Sequence, residues 1–305
     1  METLSFDEFY DLVGQRLADI LKKRLPVAEL RKEYKERLQG QGYYALTVDV
    51  PFLDAAVHLN VENIYSCAGS KSIEEIAGMA ADMVMARLIT LPEIEADEII
   101  DYDKAKNNLI IQVISAERNE KLLASIPHKR ILDLAVIYRL MIKTSDGWET
   151  CIVNNMLFEE FGISQETLYK DAALNSARIN PVKIENLAAV GKRIAEMLGY
   201  STSVFFDEYV KSPLYFVGNE DCTFGAAAVF YPGVLEKCAE ILNGSFFILP
   251  SSIHEMLILK AGDDVDVGWL ERMVSEINEE VIDPEERLTD HVYYYDACKK
   301  EFCAA

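Results

Sequence analysis

The spacing of apolar residues predicts helices and short strands that alternate along the chain. Apolar side chains that recur every three or four residues mark amphipathic helices over 6–21, 76–84 and 266–280. Capping boxes at Ser5 and Ser72 indicate where the first two of these helices begin. Helix-forming composition predicts further helices over 156–178, 184–198 and 226–242.

Strand signals fill the intervals between these helices. Segments rich in β-branched and aromatic residues predict strands over 43–50, 55–64, 109–115, 148–153, 214–218, 245–249, 253–260 and 291–296. The clearest strand runs from Ile131 to Ile142, where one face is apolar and Asp133 and Arg139 lie on the other. Turn residues at 145–147 predict a hairpin with the strand that follows. This order of elements predicts an α+β fold with mainly antiparallel sheets.

The domain organisation is predicted from the chain length and from one segment without clear helix or strand periodicity. A chain of 305 residues can form two domains of ordinary size. The best boundary lies between Gly199 and Pro213, because that segment lacks clear periodicity and follows a helix that Gly199 ends. We therefore predict two lobes, residues 1–199 and 200–305, each a small, mainly antiparallel sheet packed with helices.

Charge narrows the classes of function. The chain carries 51 acidic and 30 basic side chains, for a net charge of -21, and such a field repels nucleic acids and anionic membranes. The excess is concentrated over 201–305, which hold twenty acids and seven bases. We therefore predict no direct binding of nucleic acid or membrane, and expect an unknown protein partner with a basic surface.

The sequence favours a cytoplasmic location. Its first residues lack a basic region followed by an apolar run, which a secretory signal requires. Its longest apolar segment is shorter than the ~20 residues that cross a bilayer. Six scattered cysteines without a C-x-x-C pair are typical of reduced thiols.

Four short motifs resemble ligand-binding signatures without meeting their requirements. Residues 40–45 have the letters of a dinucleotide fingerprint, but they precede a strand rather than a helix. Residues 69–72 lack the Gly-Lys step of a P-loop, and 263–268 lack the later bidentate acid of a calcium loop. His254 has no second histidine at the spacing of a zinc helix. No cofactor and no metal site is predicted.

Two groups of polar residues form the candidate binding site. His128 and Arg130 make a cationic corner ahead of the clearest strand, and Ser252, His254 and Glu255 form the second group. Together they offer a base, a hydroxyl and a carboxylate, which a hydrolase requires within one cleft. Local salt bridges and loop capping explain the same residues without any function. Their convergence in space would separate these interpretations.

Several segments carry a resemblance to a bacterial family. They are Ser-Ile-Pro-His-Lys-Arg at 125–130, Tyr-Pro-Gly-Val-Leu at 231–235, Ile-Leu-Pro-Ser-Ser-Ile-His-Glu at 248–255, Asp-Pro-Glu-Glu at 283–286 and Tyr-Tyr-Tyr-Asp at 293–296. Over about 101–296 the chain resembles a family of Clostridia proteins known as a domain of unknown function. The second lobe is also distantly similar to another uncharacterised Firmicutes family. These resemblances imply a cytoplasmic α+β protein and supply no activity or site.

Three functions remain open from the sequence. The first is a non-enzymatic interaction or regulatory module that presents an acidic surface to a protein partner. The second is an unrecognised hydrolase or ligand-binding enzyme with a cleft between the lobes. The third is an inhibitor that mimics nucleic acid and blocks a basic protein. The negative charge and the lack of a catalytic signature favour the first.

Overall fold

The chain is described by a computed structural model over residues 4–40, 42–51, 55–89, 99–144, 147–190, 214–262 and 264–305. It divides into two compact units, Met1–Glu93 with Lys143–Gly147, and Ile94–Ile142 with Trp148–Ala305. The boundary predicted between residues 199 and 200 lies in 191–213, outside the described residues, and it stays a prediction.

The first unit is a three-stranded antiparallel sheet with a core on one face. Its elements are α1 (Phe6–Arg24), β1 (Glu29–Glu36), β2 (Gly42–Val50), β3 (Ala55–Asn60), α2 (Val61–Ser66) and α3 (Ile73–Ile89). The strands lie in the order β1-β2-β3. Leu46 and Val48, two residues apart on β2, join the apolar faces of α1 and α3 in one buried core.

Both predicted capping boxes are present in this unit. The Glu8 carboxylate accepts the Ser5 N–H at 2.9 Å, while the Ser5 hydroxyl accepts the Glu8 N–H at 3.4 Å. Ser72 and Glu75 exchange the same bonds at the start of α3. The helices predicted at these two places are confirmed. The basic segment after α1, for which the sequence predicts no element, pairs with β2 along the whole of β1.

The second unit contains a four-stranded and a six-stranded sheet. The four-stranded sheet consists of β4 (Leu109–Ser115), β5 (His128–Ile131), β6 (Leu134–Thr144) and β7 (Gly147–Ile152), with β4, β5 and β7 all paired to β6. The six-stranded antiparallel sheet has the order β13-β12-β10-β11-β9-β8. Its strands are β8 (Val182–Asn186), β9 (Leu214–Asn219), β10 (Phe246–Pro250), β11 (Met256–Lys260), β12 (Tyr293–Asp296) and β13 (Glu301–Ala304).

Helices surround these two sheets. They are α4 (Tyr102–Ala105), α5 (Glu120–Leu123), α6 (Asn155–Phe161), α7 (Gln165–Ile179), α8 (Val234–Leu242) and α9 (Val267–Glu280). One buried core joins Val136 and Tyr138 of β6 with Phe246 and Ile248 of β10. Phe247 and Leu249 of β10 point to the opposite side of the sheet and pack against α9. The six-stranded sheet is therefore buried on both faces at β10.

These antiparallel sheets packed with helices confirm the predicted α+β class. No helix in the described ranges is long and apolar enough to cross a bilayer. The helix predicted over 266–280 is present as α9. The helix predicted over 156–178 is divided into α6 and α7, because Gly162 adopts a left-handed conformation with φ 61° and ends α6.

The long strand predicted from Ile131 to Ile142 is wrong at its start. Leu132 and Asp133 form a two-residue turn between β5 and β6, and Ile131 pairs with Leu134. Leu132 has φ 57°, in the left-handed region that such hairpin turns use. Glycine or asparagine normally occupies that position, so a leucine there does not indicate a turn.

Four other predicted elements differ from the structure. The first three residues of the helix predicted over 184–198 belong to strand β8, which pairs with β9; residues 187–190 are helical as predicted, and the part from 191 onward lies outside the described residues. The strand predicted over 55–64 ends at Asn60, whose side chain caps α2. The helix predicted over 226–242 breaks into a 3₁₀ segment (Gly225–Phe230) and α8, separated by Gly233 with φ 78°. The strand predicted over 253–260 begins only at Met256.

Gly225 sits where there is no space for a side chain. A Cβ atom built there would lie 2.2 Å from the carbonyl oxygen of His254 and 2.9 Å from the backbone nitrogen of Asn219. We therefore expect Gly225→Ala to lower the free energy of unfolding by about 2–4 kcal/mol, measured by denaturant titration.

A matched glycine provides the control. Gly78 lies inside α3, where an added Cβ would meet nothing within 4 Å. Gly78→Ala is expected to leave stability unchanged or to raise it by up to ~1 kcal/mol, because alanine favours the helix. An equal loss of stability in both variants would contradict the close approach described at Gly225.

Candidate functional site

The densest polar cluster centres on the carboxylate of Asp133, in the turn between β5 and β6. Its Oδ1 accepts a hydrogen bond from the Tyr293 hydroxyl at 2.6 Å. Its Oδ2 accepts one from the Thr289 hydroxyl at 2.6 Å and one from Nδ1 of His291 at 2.9 Å. Thr289 and His291 belong to the segment that leads into β12, and Tyr293 is the first residue of that strand. The cluster therefore ties the β5–β6 turn to the six-stranded sheet.

The ionisation of this cluster follows from its contacts. Burial opposes ionisation of Asp133, but the three hydrogen bonds outweigh it and hold the pKa of the carboxyl below its ordinary value. The bond to Asp133 raises the pKa of His291. Burial, and then the contact with Asp133, raises the pKa of the Tyr293 hydroxyl. At neutral pH the cluster holds an ionised carboxylate and a neutral phenol.

The Asp133–His291 pair can orient an imidazole. Because Asp133 accepts from Nδ1, the proton of neutral His291 sits on that nitrogen and Nε2 is left as an acceptor. The His291 side chain is 67% exposed, and its Nε2 has no partner among the described residues. The nearby Thr289 hydroxyl is donated to Asp133 and is not free to act as a nucleophile. In the described ranges no three His, Cys, Asp or Glu side chains form a metal-binding group.

The predicted residues His128 and Arg130 lie on β5 and make local contacts. Nδ1 of His128 donates to the carbonyl of Ile126 at 3.0 Å, and Nε of Arg130 donates to the carbonyl of Leu132 at 3.2 Å. Arg130 is exposed and His128 is half-buried. Between them, the Lys129 ammonium lies 3.8 Å from the centre of the Tyr169 ring. This cationic corner holds no carboxylate contact in the part of the chain that is described.

The predicted residues Ser252, His254 and Glu255 come together in the loop between β10 and β11. The Ser252 hydroxyl donates to Oε1 of Glu255 at 3.0 Å and accepts the N–H of His254 at 3.0 Å. Nε2 of His254 lies 3.3 Å from Oε1 of Glu286. Ser252 is only 3% exposed, and its hydroxyl stabilises the loop through these two hydrogen bonds.

The five predicted residues thus form two sets with separate partners. No hydrogen bond or ion pair within the described residues joins the set at β5 to the set after β10. Their role in binding stays a prediction. Sequence reasoning missed the cluster around Asp133, because it assigned that residue only to the polar face of a strand and did not single out His291. Nothing local in the sequence relates two positions that lie 158 residues apart.

The outer surface of α9 is the second feature with functional potential. Ile277 and Val281 continue the apolar spacing that predicts this helix, but they are 39% and 72% exposed, and Trp269 is 54% exposed. Trp269 and Ile277 lie eight positions apart on α9, and Val281 caps its C-terminal end four positions further on. We call this set, Trp269, Ile277 and Val281, the α9 ridge.

Carboxylates border the α9 ridge. The helix carries four glutamates and one arginine. Glu276, Glu279 and Glu280 are exposed and make no ion pair within the described residues. Exposed apolar side chains beside carboxylates that lack a counter-ion are a candidate interaction surface.

The comparisons with known proteins settle the family. A model of the family of unknown function DUF5688 matches residues 6–297. The chain belongs to DUF5688. The resemblance to a family of unknown function is therefore confirmed, and the DUF5688 match begins well before residue 101, where the sequence resemblance began. No curated protein and no solved structure matches the chain.

Two of the segments on which the resemblance rested are in contact in the second unit. The N–H of Ile253 donates to the carbonyl of Glu286 at 2.8 Å, which links the 248–255 segment to the 283–286 segment. A few residues further on, Thr289 and Tyr293 bind Asp133. In this DUF5688 protein, the loop between α9 and β12 therefore joins two parts of the unit.

The Asp133–His291 contact gives a pH signature. A lowered pKa makes Asp133 stabilising above its usual titration range, and this contribution is lost as pH falls through the lowered value. A raised pKa makes His291 stabilising below 6.5, and this contribution is lost as pH rises through the raised value. We expect His291→Gln to cost more stability at about pH 5.5 than at about pH 9.

Titration by NMR checks the same contact directly. We expect the pKa of His291 to lie above 6.5 in the native chain and to fall in Asp133→Asn, which removes the negative partner. Asp133→Asn should also lower the free energy of unfolding by about 2 kcal/mol, because three donors lose a charged acceptor. His128→Gln is the control, since its ring bonds only a carbonyl oxygen. A His291 pKa that Asp133→Asn leaves unchanged would contradict the contact.

Proposed function

We propose that the protein is an interaction module that binds a basic, amphipathic helical segment of a partner protein. The single observation that carries the proposal is the α9 ridge with its unpaired carboxylates. A cytoplasmic location is part of the same proposal.

The apolar part of the surface supports a protein partner. Trp269 and Val281 each leave more than half of the side chain in water, and burial of such groups in a complex gains roughly 25 cal/mol per Å² of apolar area. Tryptophan is also enriched among the residues that contribute most to binding. A partner helix with apolar residues at the same spacing would cover the α9 ridge.

The charged part of the surface supports a basic partner. Glu276 and Glu280 flank the ridge without a counter-ion among the described residues. Lysine or arginine on either side of an apolar helix face would neutralise them and would speed association. The wider excess of acids over 201–305 gives the same sign of field around the site.

Two alternatives have less support. A hydrolase needs an available nucleophile, but Ser252 is buried and its hydroxyl is donated to Glu255. A mimic of nucleic acid would present carboxylates alone, whereas the α9 ridge places apolar side chains beside them. An amphipathic protein segment satisfies both features of the surface.

The exposed tryptophan allows a direct test. Trp148→Phe removes the other exposed tryptophan and leaves Trp269 as the fluorescent reporter. We expect a synthetic amphipathic helix of lysine and leucine to shift the Trp269 emission to shorter wavelength. Glu276→Lys with Glu280→Lys should weaken the binding about tenfold or more, and added salt should weaken it in the native chain.

A matched pair of substitutions controls for net charge. Glu159→Lys with Glu160→Lys changes two exposed glutamates of α6 and alters the total charge by the same amount. This variant should bind the peptide with nearly native affinity. Equal weakening in the two variants, or no emission shift on peptide addition, would disprove an α9 docking site.

A further inference from the structure

The first unit contains a cavity that the interaction surface of α9 does not involve. It has a volume of about 330 Å³ and lies between β3, α2 and α3. This size falls at the lower end of the range for small-molecule sites. All of its lining residues lie between His58 and Met83, within the first unit.

The interior of the cavity is apolar. Leu59, Ile76 and Ala80 form part of its lining and also belong to the buried core of the unit. Met79 and Met83 line it from α3 and remain 52% and 55% exposed. Methionine side chains are flexible and adapt to apolar ligands of irregular shape. The distance along α3 from Ile76 to Met83 is roughly 10 Å, the length of a short acyl chain.

The charge of the cavity lining is positive. Lys71 lines the cavity next to the start of α3 and makes no ion pair within the described residues. It acts on Glu75 only through space, and that carboxylate is bonded to Ser72. His58, the other titratable base of the lining, is kept neutral at pH 7 because burial lowers its pKa. Lys71 is therefore the charge that a ligand would meet.

We propose that this cavity binds a small amphipathic carboxylate of the medium-chain fatty-acid class. The acyl chain lies against Met79 and Met83, and the carboxylate pairs with the Lys71 ammonium. Binding covers the two exposed methionine side chains and gives Lys71 a counter-ion. The proposal is independent of the α9 ridge, because the two sites share no residue.

Cys67 offers a local reporter for this site. Its thiol is exposed and lines the cavity, while Cys222 and Cys298 are exposed in the second unit. We would treat the full chain with a thiol reagent in the presence of octanoate and follow each cysteine by mass spectrometry. Octanoate should slow the labelling of Cys67 and leave Cys222 and Cys298 unaffected. The apparent affinity should rise about threefold for each methylene from hexanoate to octanoate.

Variants of Lys71 test the role of the charge. Lys71→Gln should weaken octanoate about fivefold or more, whereas Lys71→Arg should restore most of the affinity. Lys22→Gln, which removes an exposed lysine of α1, should have no effect. Octanol, which has no charge, should protect Cys67 equally in the native chain and in Lys71→Gln.

The labelling results either support or overturn the proposed carboxylate site. Selective protection of Cys67 that depends on chain length and on a cation at position 71 supports the proposal. Protection by octanoate that Lys71→Gln leaves unchanged overturns the assigned carboxylate position. Uniform protection of all three exposed cysteines, or none at millimolar octanoate, overturns the site. Circular dichroism of each variant establishes that the fold is retained.

Discussion

The second unit depends on keeping one carboxylate ionised in a place where water reaches it only in part. Asp133 achieves this with three donors from a single segment, Thr289, His291 and Tyr293. Removal of any donor leaves the Asp133 charge less compensated. Removal of that charge leaves the three donors without a charged acceptor. The β5–β6 turn and the entry to β12 are therefore positioned by the same electrostatic requirement. The core between the two sheets is built around these fixed points.

Local patterns were sufficient to predict much of the fold. Several elements are predicted by residues that lie close together in the sequence. They are α1 and α3 with their capping boxes, α9 with its apolar spacing, and the strands β2, β4 and β10. The errors arose where distant partners override local preference. Residues 184–186 were predicted to begin a helix, but they complete the sheet beside β9. The turn at Leu132 carries no glycine, and the residue beside it, Asp133, is held by three long-range hydrogen bonds that no local pattern reveals.

The functional surfaces were harder to predict for a related reason. Periodicity identifies the apolar positions of a helix, but it does not tell how many of them the core covers. Ile277 and Val281 therefore looked like core residues, although the sheet covers only the adjacent side of α9. Met79 and Met83 on α3 likewise lie at helical spacing and remain half exposed. Ser252 and Glu255 did come together as a local pair, since residues three apart in a loop meet readily.

The sequence separation between paired strands also determines the order in which the two units can fold. The sheet of the first unit takes its three strands from residues 29–60, so it can close early during synthesis on the ribosome. The six-stranded sheet of the second unit forms later in synthesis, because its strand β10 pairs with β12. Asp133 has all three of its donors only after residue 293 has been made. Until then the nascent β5–β6 hairpin exposes apolar strand faces and unpaired strand edges, which are the features that chaperones protect.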